Sequence, residues 1–284
     1  MTESGATGTL YIVATPIGNQ EDITLRAIKV LESVDLILAE DTRHSLPLLK
    51  ALGIKNQLRA FHAHNESDKS IHIIELLTNG QSIALISDAG TPLISDPGFP
   101  LVKLARQNNI PVVPIPGACA VITALSAAGL PCDSFLFLGF LPAKQQARQN
   151  KLNEVKNEPY TLIFYESTHR ILECIDDVAL CYGEDCELVL AKELTKAFER
   201  FISGTPKVVK EWLLSESAHS KGEFVLIISP RLMPNQVDEK EKILSLLLEE
   251  LPLKQAVTLA CKLTQGNKNE LYELALSIKN KPDN

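Results

Sequence analysis

Carboxylates and small, turn-forming residues follow several apolar segments of this chain, in combinations that can hold a ligand. The clearest is IALISDAGTPLISDPG over residues 83–98, where an apolar run leads directly into Asp88 and Gly90. The Asp88 carboxylate can accept hydrogen bonds from a ribose or an amine, and Gly90 lets the backbone approach a ligand closely. We therefore predict a ligand contact at Asp88. Asp96, which precedes Pro97, is interpreted as a cap of a turn or of the following helix.

Two other apolar runs also end in small residues. They are LYIVATPIGN over residues 10–19 and VVPIPGACA over residues 112–120. The turn at residues 15–19 matches neither the glycine fingerprint of dinucleotide-binding folds nor the phosphate-binding P-loop. The sequence therefore does not favour a dinucleotide or triphosphate site, and a plain tight turn remains an alternative for residues 15–19.

Three further segments combine acidic, basic and hydroxyl groups at the ends of apolar runs. They are EDTRH at 40–44, YESTHR at 165–170 and AKELTK at 191–196. Such groups can serve in acid–base chemistry or hold a phosphate, and each segment is equally compatible with a solvated helix start. His62 and His64 share one strand face by their spacing, but no third ligand accompanies them, so we predict no metal site.

The elements that must position these groups follow from the alternation of apolar runs with helical patterns. In the first 120 residues this alternation is typical of βαβ units and predicts a parallel sheet whose strand ends share one edge. The predicted strands are 9–14, 34–39, 57–61, 82–87 and 110–115, and the predicted helices are 22–33, 44–52, 68–79 and 97–108. An Ala-rich helix at 118–128 follows.

The second half predicts another α/β region and a helical end. Its predicted strands are 134–140, 160–166, 187–193, 197–203 and 223–229, and its predicted helices are 144–156, 168–182 and 206–216. Two successive strands indicate a sheet of mixed direction. Residues 231–236 are interpreted as a linker, and helices at 243–250, 253–264 and 268–279 resemble a helix-turn-helix module. The fold class is α/β, with domains at 8–120, 121–230 and 237–284.

Composition restricts the possible partners. The 284 residues carry a net charge of −7 and only 5% aromatic residues, which argues against a general nucleic-acid binder with a uniformly basic surface. Residues 140–156 and 252–281 are locally basic and suit phosphate contacts or ordinary solvated faces. The six cysteines form no CxxC pair, and we expect no signal peptide and no membrane span, hence a reducing, cytoplasmic setting.

Taken together, the motifs resemble those of the ribosomal RNA small subunit methyltransferase I family, within the tetrapyrrole methylase superfamily. The matching strings include LYIVATPIGN, AEDTRH, SDAGTPLISDPG, ITALSAAGLP, GFLPAK, FYESTHR, ELTK and KGE, between about residues 10 and 230. The segment LPLKQA at 251–256 also resembles that family. The resemblance implies two α/β domains with S-adenosylmethionine bound in the cleft between them, in a homodimer.

The resemblance also implies an activity and a set of site residues. The activity is methyl transfer to the ribose 2′-hydroxyl of cytidine 1402 in 16S rRNA, which we expect to be presented by an assembled small subunit. The implied cofactor contacts are Pro16, Gly18, Asp88, Gly90, Thr91, Cys119, Ala120, Phe164, Tyr165 and Ala191. Candidate catalytic groups are Glu166, Glu193, Lys192 and Asp41, and candidate RNA contacts are Arg43, Lys144, Arg170, Lys196, Lys254 and Lys268.

Two alternatives remain at this point. One is a C-methyltransferase of the same fold that acts on tetrapyrroles, against which the basic helical end and the arginines Arg43 and Arg170 speak. The other is a ribosome-binding factor that holds the cofactor without turnover. No metal is required by the expected chemistry, because the sulfonium methyl group is already activated.

Overall fold

The N-terminal half of the protein forms a five-stranded sheet with helices between its strands. The structure is a computed structural model and describes residues 7–62, 66–230, 236–264 and 266–279. The strands are β1 (Leu10–Val13), β2 (Leu36–Ala39), β3 (Gln57–Ala60), β4 (Ile83–Ile86) and β5 (Val112–Ile115). The helices are α1 (Leu25–Ser33), α2 (Thr42–Ala51), α3 (Glu66–Thr78) and α4 (Phe99–Gln107).

All pairings in this first sheet are parallel, in the order β3-β2-β4-β1-β5. Every residue of β2 and β4 is buried, which suits a parallel sheet covered on both faces. Leu38 and Leu85 pack into the core on one face, and Ile37 and Ile86 into the core on the other. The predicted parallel sheet is confirmed, and its strands all end at one edge.

The second sheet mixes strand directions, as predicted. After α5 (Ala120–Ala128), its strands are β6 (Phe135–Phe140), β7 (Thr161–Ser167), β8 (Leu188–Lys192), β9 (Arg200–Gly204) and β10 (Glu223–Ile228). Its helices are α6 (Gln145–Val155), α7 (Ile171–Tyr182) and α8 (Pro206–Ser215). The order is β6-β7-β10-β8-β9, with β6 parallel to β7 and the other three pairings antiparallel.

Alternating residues of this second sheet serve two different cores. Phe164 and Leu226 belong to a cluster that includes residues of α7 and α8. Ile163 and Ile227 belong to a cluster that includes α5 and Ile17 from the turn after β1. Because successive side chains of a strand point to opposite faces, this division decides which side chains of β7 can face the first sheet.

Three helices form the C-terminal part of the chain, as predicted. They are α9 (Gln236–Glu250), α10 (Leu253–Thr264) and α11 (Lys268–Lys279), and they bury Leu244, Val257 and Leu271 among others. Helix α9 begins earlier than the predicted start at 243. Most of the predicted linker, residues 231–235, lies outside the described residues, and the predicted domain boundaries stay predictions. No helix in the described part of the chain is long and apolar enough to cross a membrane.

Several predicted helix starts differ from the observed ones, and two of these differences concern loops near the strand ends. The predicted helix at 22–33 begins at Leu25, because the Thr24 hydroxyl accepts from the amide of Ala27 and caps α1. Residues 20–22 form a separate short turn of 3₁₀ helix. The predicted helix at 168–182 begins at Ile171, which leaves residues 168–170 as a turn after β7.

Helix α6 contains a buried cation that the sequence had placed in a basic surface patch. The Arg148 side chain is fully buried, and its Nε donates to Asp177 Oδ2 over 2.6 Å. Its other guanidinium nitrogens reach the carbonyl oxygen of Ala143 and Glu173 Oε2, both at 3.3 Å. Arg148 therefore joins α6 to α7 and contributes no surface charge, which weakens the predicted patch at 140–156.

We expect Arg148→Met to lower the free energy of unfolding by about 3–5 kcal/mol, because it leaves the Asp177 carboxylate buried without its cation. Lys151→Met is the matched control on the same helix. Its ion pair with Glu154 is solvent-accessible, and its loss should cost at most about 1 kcal/mol. Urea denaturation of the wild type and the two variants measures both values. Equal losses of stability would contradict a structural role for the buried Arg148–Asp177 ion pair.

Candidate active site

A cavity of about 460 Å³ lies between the strand-end loops of the first sheet and the second sheet. This volume is within the range of small-molecule sites. The first sheet supplies residues 88–91 and 94–96, the second supplies Phe140, residues 165–169 and residues 222–225, and Ile17, Cys119, Ala120 and Leu194 complete the wall. The cavity thus collects most of the segments that the sequence singled out for chemistry.

A backbone bridge fixes one wall of this cavity. The amide of Thr15 donates to the carbonyl of Gly90 over 2.9 Å, and the amide of Gly90 donates to the carbonyl of Thr15 over 3.0 Å. Gly90 has φ of +82°, and a Cβ atom there would lie 3.2 Å from Ile17 Cγ2. Position 90 therefore favours glycine for two reasons: its φ is positive, and the turn after β1 approaches it closely.

Pro16 and Gly18 flank Ile17, which is the residue of this turn that lines the cavity. A Cβ atom on Gly18 would lie 2.5 Å from Lys196 Cγ and 2.9 Å from the carbonyl oxygen of Leu194. Gly18 therefore lets the turn after β1 approach the loop after β8. Direct contacts of Pro16 and Gly18 with a cofactor stay predictions.

Asp88 has two partners that follow β2, one in the loop before α2 and one in the first turn of α2. Its Oδ1 accepts from the backbone amide of Asp41, and its Oδ2 lies 3.0 Å from His44 Nδ1. This hydrogen bond to Asp88 raises the pKa of His44 above its ordinary value. Asp88 therefore ties the ends of β2 and β4 together while it also lines the cavity.

Asp41, a candidate catalytic group, is engaged with its own loop. Its carboxylate accepts from the amide of Arg43, at the start of α2, and forms an ion pair with the exposed Arg43 guanidinium. These hydrogen bonds hold the pKa of Asp41 far below its usual range. Asp41 does not line the cavity wall formed by the described residues.

Glu166 and Lys192 lie on the helix-covered side of the second sheet. Glu166 pairs in register with Phe224, which pairs with Lys192, so the three side chains share one face. Glu166 Oε1 lies 2.9 Å from Arg170 Nη2 and accepts from the amide of Ser167, whereas Oε2 is buried with no hydrogen-bond partner among the described residues. Glu166 also contributes to the cavity wall, while Lys192 does not.

Glu193 and Lys196 form a second ion-pair group, at the loop after β8. Lys196 Nζ lies 3.0 Å from Glu193 Oε1 and 2.8 Å from Glu223 Oε2. Glu193 also accepts from the amide of Glu223, and its pKa is lowered by this hydrogen bond and by Lys196, against the opposing effect of burial. A Cβ atom on Gly222 would lie 2.7 Å from Glu193 Oε1, so Gly222 makes room for this carboxylate.

Aromatic and small residues form the apolar part of the cavity. The Tyr165 ring packs edge-on against Phe137 and Phe140, with centroids 4.8 and 5.5 Å away. Cys119 and Ala120 stand at the start of α5. Thr91, which also lines the cavity, donates its hydroxyl to the carbonyl of Ala118 over 3.1 Å.

Two predicted cofactor contacts are buried away from the cavity wall. The Phe164 side chain is fully buried in the core beside α7, because the pleat turns it away from Tyr165. Ala191 is fully buried in the core beside α5. Their side chains are core residues, so a cofactor contact of either would have to come from its backbone.

Asp96 is the cavity residue that sequence reasoning assigned differently. Helix α4 is capped by Gly98, with no side-chain hydrogen bond, so Asp96 does not cap it. Asp96 instead lines the cavity, where burial and the nearby carboxylates of Glu40 and Asp88 raise its pKa to about 6. The sequence does not indicate this position, since Glu40, one of the two neighbouring acids, comes from another loop.

The predicted RNA contacts are spread over the molecule. Arg43, Lys144, Lys254 and Lys268 are exposed, whereas Arg170 and Lys196 are partly buried by their ion pairs. Lys281, counted in the basic C-terminal segment, lies outside the described residues, as does His64. Among the described residues, no group of three or more His, Cys, Asp or Glu could hold a metal ion.

Comparison with known proteins shows the family to which the chain is similar. Residues 9–209 match the model of the Tetrapyrrole (Corrin/Porphyrin) Methylases, and residues 235–279 match that of the RsmI C-terminal HTH domain. Ribosomal RNA small subunit methyltransferase I of Haemophilus influenzae is 52% identical over 95% of this chain and 97% of its own length. The protein of the same name from Pseudomonas aeruginosa is 49% identical over 96% and 99%.

The chain belongs to the ribosomal RNA small subunit methyltransferase I family. The predicted family and fold class are thereby confirmed. Members of this family are S-adenosylmethionine-dependent rRNA methyltransferases. The fold is also that of a uroporphyrin-III C-methyltransferase from Thermus thermophilus, solved in complex with S-adenyl homocysteine, with a TM-score of 0.54 at 16% identity over 78% of this chain and 97% of that one.

Proposed function

We propose that this methyltransferase transfers a methyl group from S-adenosylmethionine to the ribose 2′-oxygen of cytidine 1402 in 16S rRNA. The observation that carries the proposal is the nearly full-length similarity to rRNA methyltransferases, which includes both the α/β region and the C-terminal helices. We further propose that the enzyme works in the cytoplasm as a homodimer, on an assembled small subunit.

The cavity between the two sheets suits the cofactor. Tyr165, Phe140 and Ile17 offer an apolar surface for an adenine ring, and the absence of a side chain at Gly90 leaves backbone groups accessible. Asp88 has a carboxylate that can accept hydrogen bonds from ribose hydroxyls or from the amino group of the methionyl part. In our proposal Thr91, Cys119 and Ala120 complete the contact.

The contribution of the protein to the reaction is positioning and proton transfer. The bound cofactor supplies a methyl group that is already activated by its positively charged sulfur. The two walls of the cavity hold the cofactor and exclude water, so that an attacking oxygen can be aligned with the methyl carbon. A ribose hydroxyl is a weak nucleophile while it keeps its proton, so a nearby base is expected to speed its attack.

The surface charges support recognition of an RNA already folded within a particle. The net charge of −7 disfavours loose binding to free RNA, because phosphate contacts require cations at the interface. Some cations are nevertheless exposed. They include Arg43 and Lys144 in the α/β region and Lys254 and Lys268 in the C-terminal helices. We propose that these residues position the small subunit around the target nucleotide.

We predict that Asp88→Ala lowers the affinity for S-adenosylmethionine about 10- to 100-fold, because hydrogen bonds to a charged group are worth about 1.5–3 kcal/mol. Isothermal calorimetry with the purified proteins measures the affinity. Asp35→Ala is the matched control. Asp35 also accepts from a backbone amide, that of Ser82, but it precedes β2 and so lies at the opposite sheet edge. An unchanged affinity of Asp88→Ala would remove Asp88 from the binding site.

Substrate mapping tests the proposed reaction itself. Small subunits and 16S rRNA from cells that lack this protein are incubated with the enzyme and labelled cofactor, and mass spectrometry locates the methyl group. We expect one 2′-O-methyl group on cytidine 1402, formed much faster on subunits than on naked RNA. A methyl group on a base or at another nucleotide would contradict the assigned site, and equal rates would contradict the assembled substrate.

We expect deletion of residues 237–284 to weaken binding to small subunits at least about tenfold, because it removes the exposed lysines Lys254 and Lys268. Cofactor affinity should change less than about twofold. Sedimentation with subunits and calorimetry with the cofactor give the two values. The double variant Lys254→Glu/Lys268→Glu provides a test that keeps the helices, and normal subunit binding by it would exclude these lysines from the interface.

A further inference from the structure

Acids predominate in the wall of the cavity. Asp88, Asp96, Glu166 and Glu223 all contribute to it. Among the described residues the wall includes no lysine or arginine, and His169 is its one side chain that can gain a positive charge. Such a wall favours a cofactor with a positively charged sulfur, because opposite charges attract more strongly where little water intervenes, but it repels the phosphates of an RNA chain.

The proposed reaction nevertheless brings a phosphate to the mouth of the cavity. In RNA the 2′-hydroxyl and the 3′-phosphate are attached to neighbouring carbons of one ribose, so an oxygen that reaches the methyl group carries a phosphate close behind it. A phosphate stays ionised at neutral pH, and its partial burial beside carboxylates is unfavourable unless a cation accompanies it. The edge of the cavity that meets the RNA therefore needs positive charge.

Three cations that the sequence offers as RNA contacts are engaged with carboxylates of the protein itself. They are Arg43 with Asp41, Arg170 with Glu166, and Lys196 with both Glu193 and Glu223. A phosphate would have to displace these carboxylates or share their cation, which lowers the net gain in free energy from binding. Cations without such partners are better suited to the phosphate.

A reciprocal pair of hydrogen bonds brings His169 and Lys221 together at the end of the second sheet. Strands β7 and β10 run antiparallel, and their last register pair joins Ser167 to Glu223. Beyond it, the Thr168 hydroxyl donates to the carbonyl oxygen of Gly222 and accepts from the Gly222 amide, both over 2.8 Å. His169 follows Thr168 and Lys221 precedes Gly222, so the same antiparallel arrangement sets these two residues beside each other.

His169 and Lys221 are both available at the rim of the cavity. His169 and Gly222 line the cavity, and Lys221 is the direct neighbour of Gly222. Both side chains are exposed, and neither forms an ion pair or a hydrogen bond with another described residue. The carboxylates of Glu193 and Glu223, which lie beside Gly222 in space or in sequence, are both held by Lys196. Their negative charge is therefore already compensated.

We propose that His169 and Lys221 bind the backbone phosphate next to the methylated ribose and so hold the 2′-hydroxyl at the cavity; this inference rests on the proposed function. The Lys221 ammonium group supplies a positive charge, and the His169 imidazole donates an N–H to a phosphate oxygen in either protonation state. Neither group exchanges a proton with the reacting atoms. The methionyl carboxylate of the cofactor is the other anion within this proposal's reach, and the test separates the two.

The test follows single-turnover methylation of undermethylated small subunits at increasing subunit concentration. The half-saturating concentration should rise about three- to tenfold for Lys221→Gln and at least about tenfold for the double variant His169→Ala/Lys221→Gln, because phosphate contacts are lost. The slope of log affinity against log salt concentration should become shallower by about 0.7 to 1 for Lys221→Gln, since one counterion fewer is released on binding. A merely structural role of Lys221 would leave this slope unchanged.

Two further variants and one binding measurement serve as controls. Lys221→Arg keeps the positive charge and should stay within about twofold of the wild type. Lys50→Gln is matched in net charge: Lys50 is exposed in the last turn of α2, at the sheet edge opposite the cavity, and its loss should change the half-saturating concentration less than about twofold. The affinity of every variant for S-adenosylmethionine, measured by calorimetry, should stay within about threefold of the wild type.

Ethylation interference identifies the phosphate that is bound. Ethylation of single phosphates in 16S rRNA removes their charge, and the phosphates whose ethylation blocks methylation are read from the unmethylated fraction. We expect ethylation of a phosphate directly beside the target cytidine to block the wild-type enzyme. The same modification should have little further effect on the double variant, which already lacks the groups that bind this phosphate.

Each other outcome overturns one claim. A half-saturating concentration of the double variant within about twofold of the wild type, or an unchanged salt slope of Lys221→Gln, would overturn the phosphate site. An equal rise for Lys50→Gln would overturn it in favour of an effect of net charge alone. A tenfold or larger loss of cofactor affinity would assign the two residues to the cofactor carboxylate instead. A wild-type enzyme that methylates no ribose of 16S rRNA would overturn the proposed function itself.

Discussion

The close approach of the turn after β1 to the loops after β4 and β8 is the constraint on which the cavity depends. Two reciprocal hydrogen bonds join Thr15 to Gly90, and Gly18 lets the same turn lie against Leu194 and Lys196. Side chains larger than hydrogen at Gly18 or Gly90 would meet atoms already in place. The first contact fixes a wall of the cavity within the first sheet, and the second brings the loop after β8 of the second sheet against it. Both close approaches depend on residues without a side chain.

Charge is distributed unevenly within this cavity. Asp88 lies against His44, and Glu166 and Glu223 form ion pairs with Arg170 and Lys196. Asp96 lies among acids, and its ionised form is therefore less stable than that of an ordinary aspartate. A protein tolerates such a group at a cost in stability, and an unpaired acid in a binding cavity is typical of a functional role.

Much of the fold was predictable from the sequence, because fully apolar runs such as those of β2 and β4 are typical of buried parallel strands. The family was predictable from the motifs at the strand ends. The sequence predicts that neighbouring side chains of a strand alternate between the two faces of the sheet, but not which face looks onto the cavity. In the fold Tyr165 faces the cavity and Phe164 faces α7. The burial of Arg148 and the position of Asp96 in the cavity wall were not predicted, for a related reason. Their decisive neighbours, Asp177 for one and Glu40 for the other, are distant in sequence and only the fold brings them close.

The most direct test of the account is a crystal structure of this enzyme with S-adenosylmethionine or its demethylated product bound. We expect the ligand between the two sheets, with its adenine near Tyr165 and a polar group within hydrogen-bond distance of Asp88. A ligand bound elsewhere on the chain would contradict the proposed site.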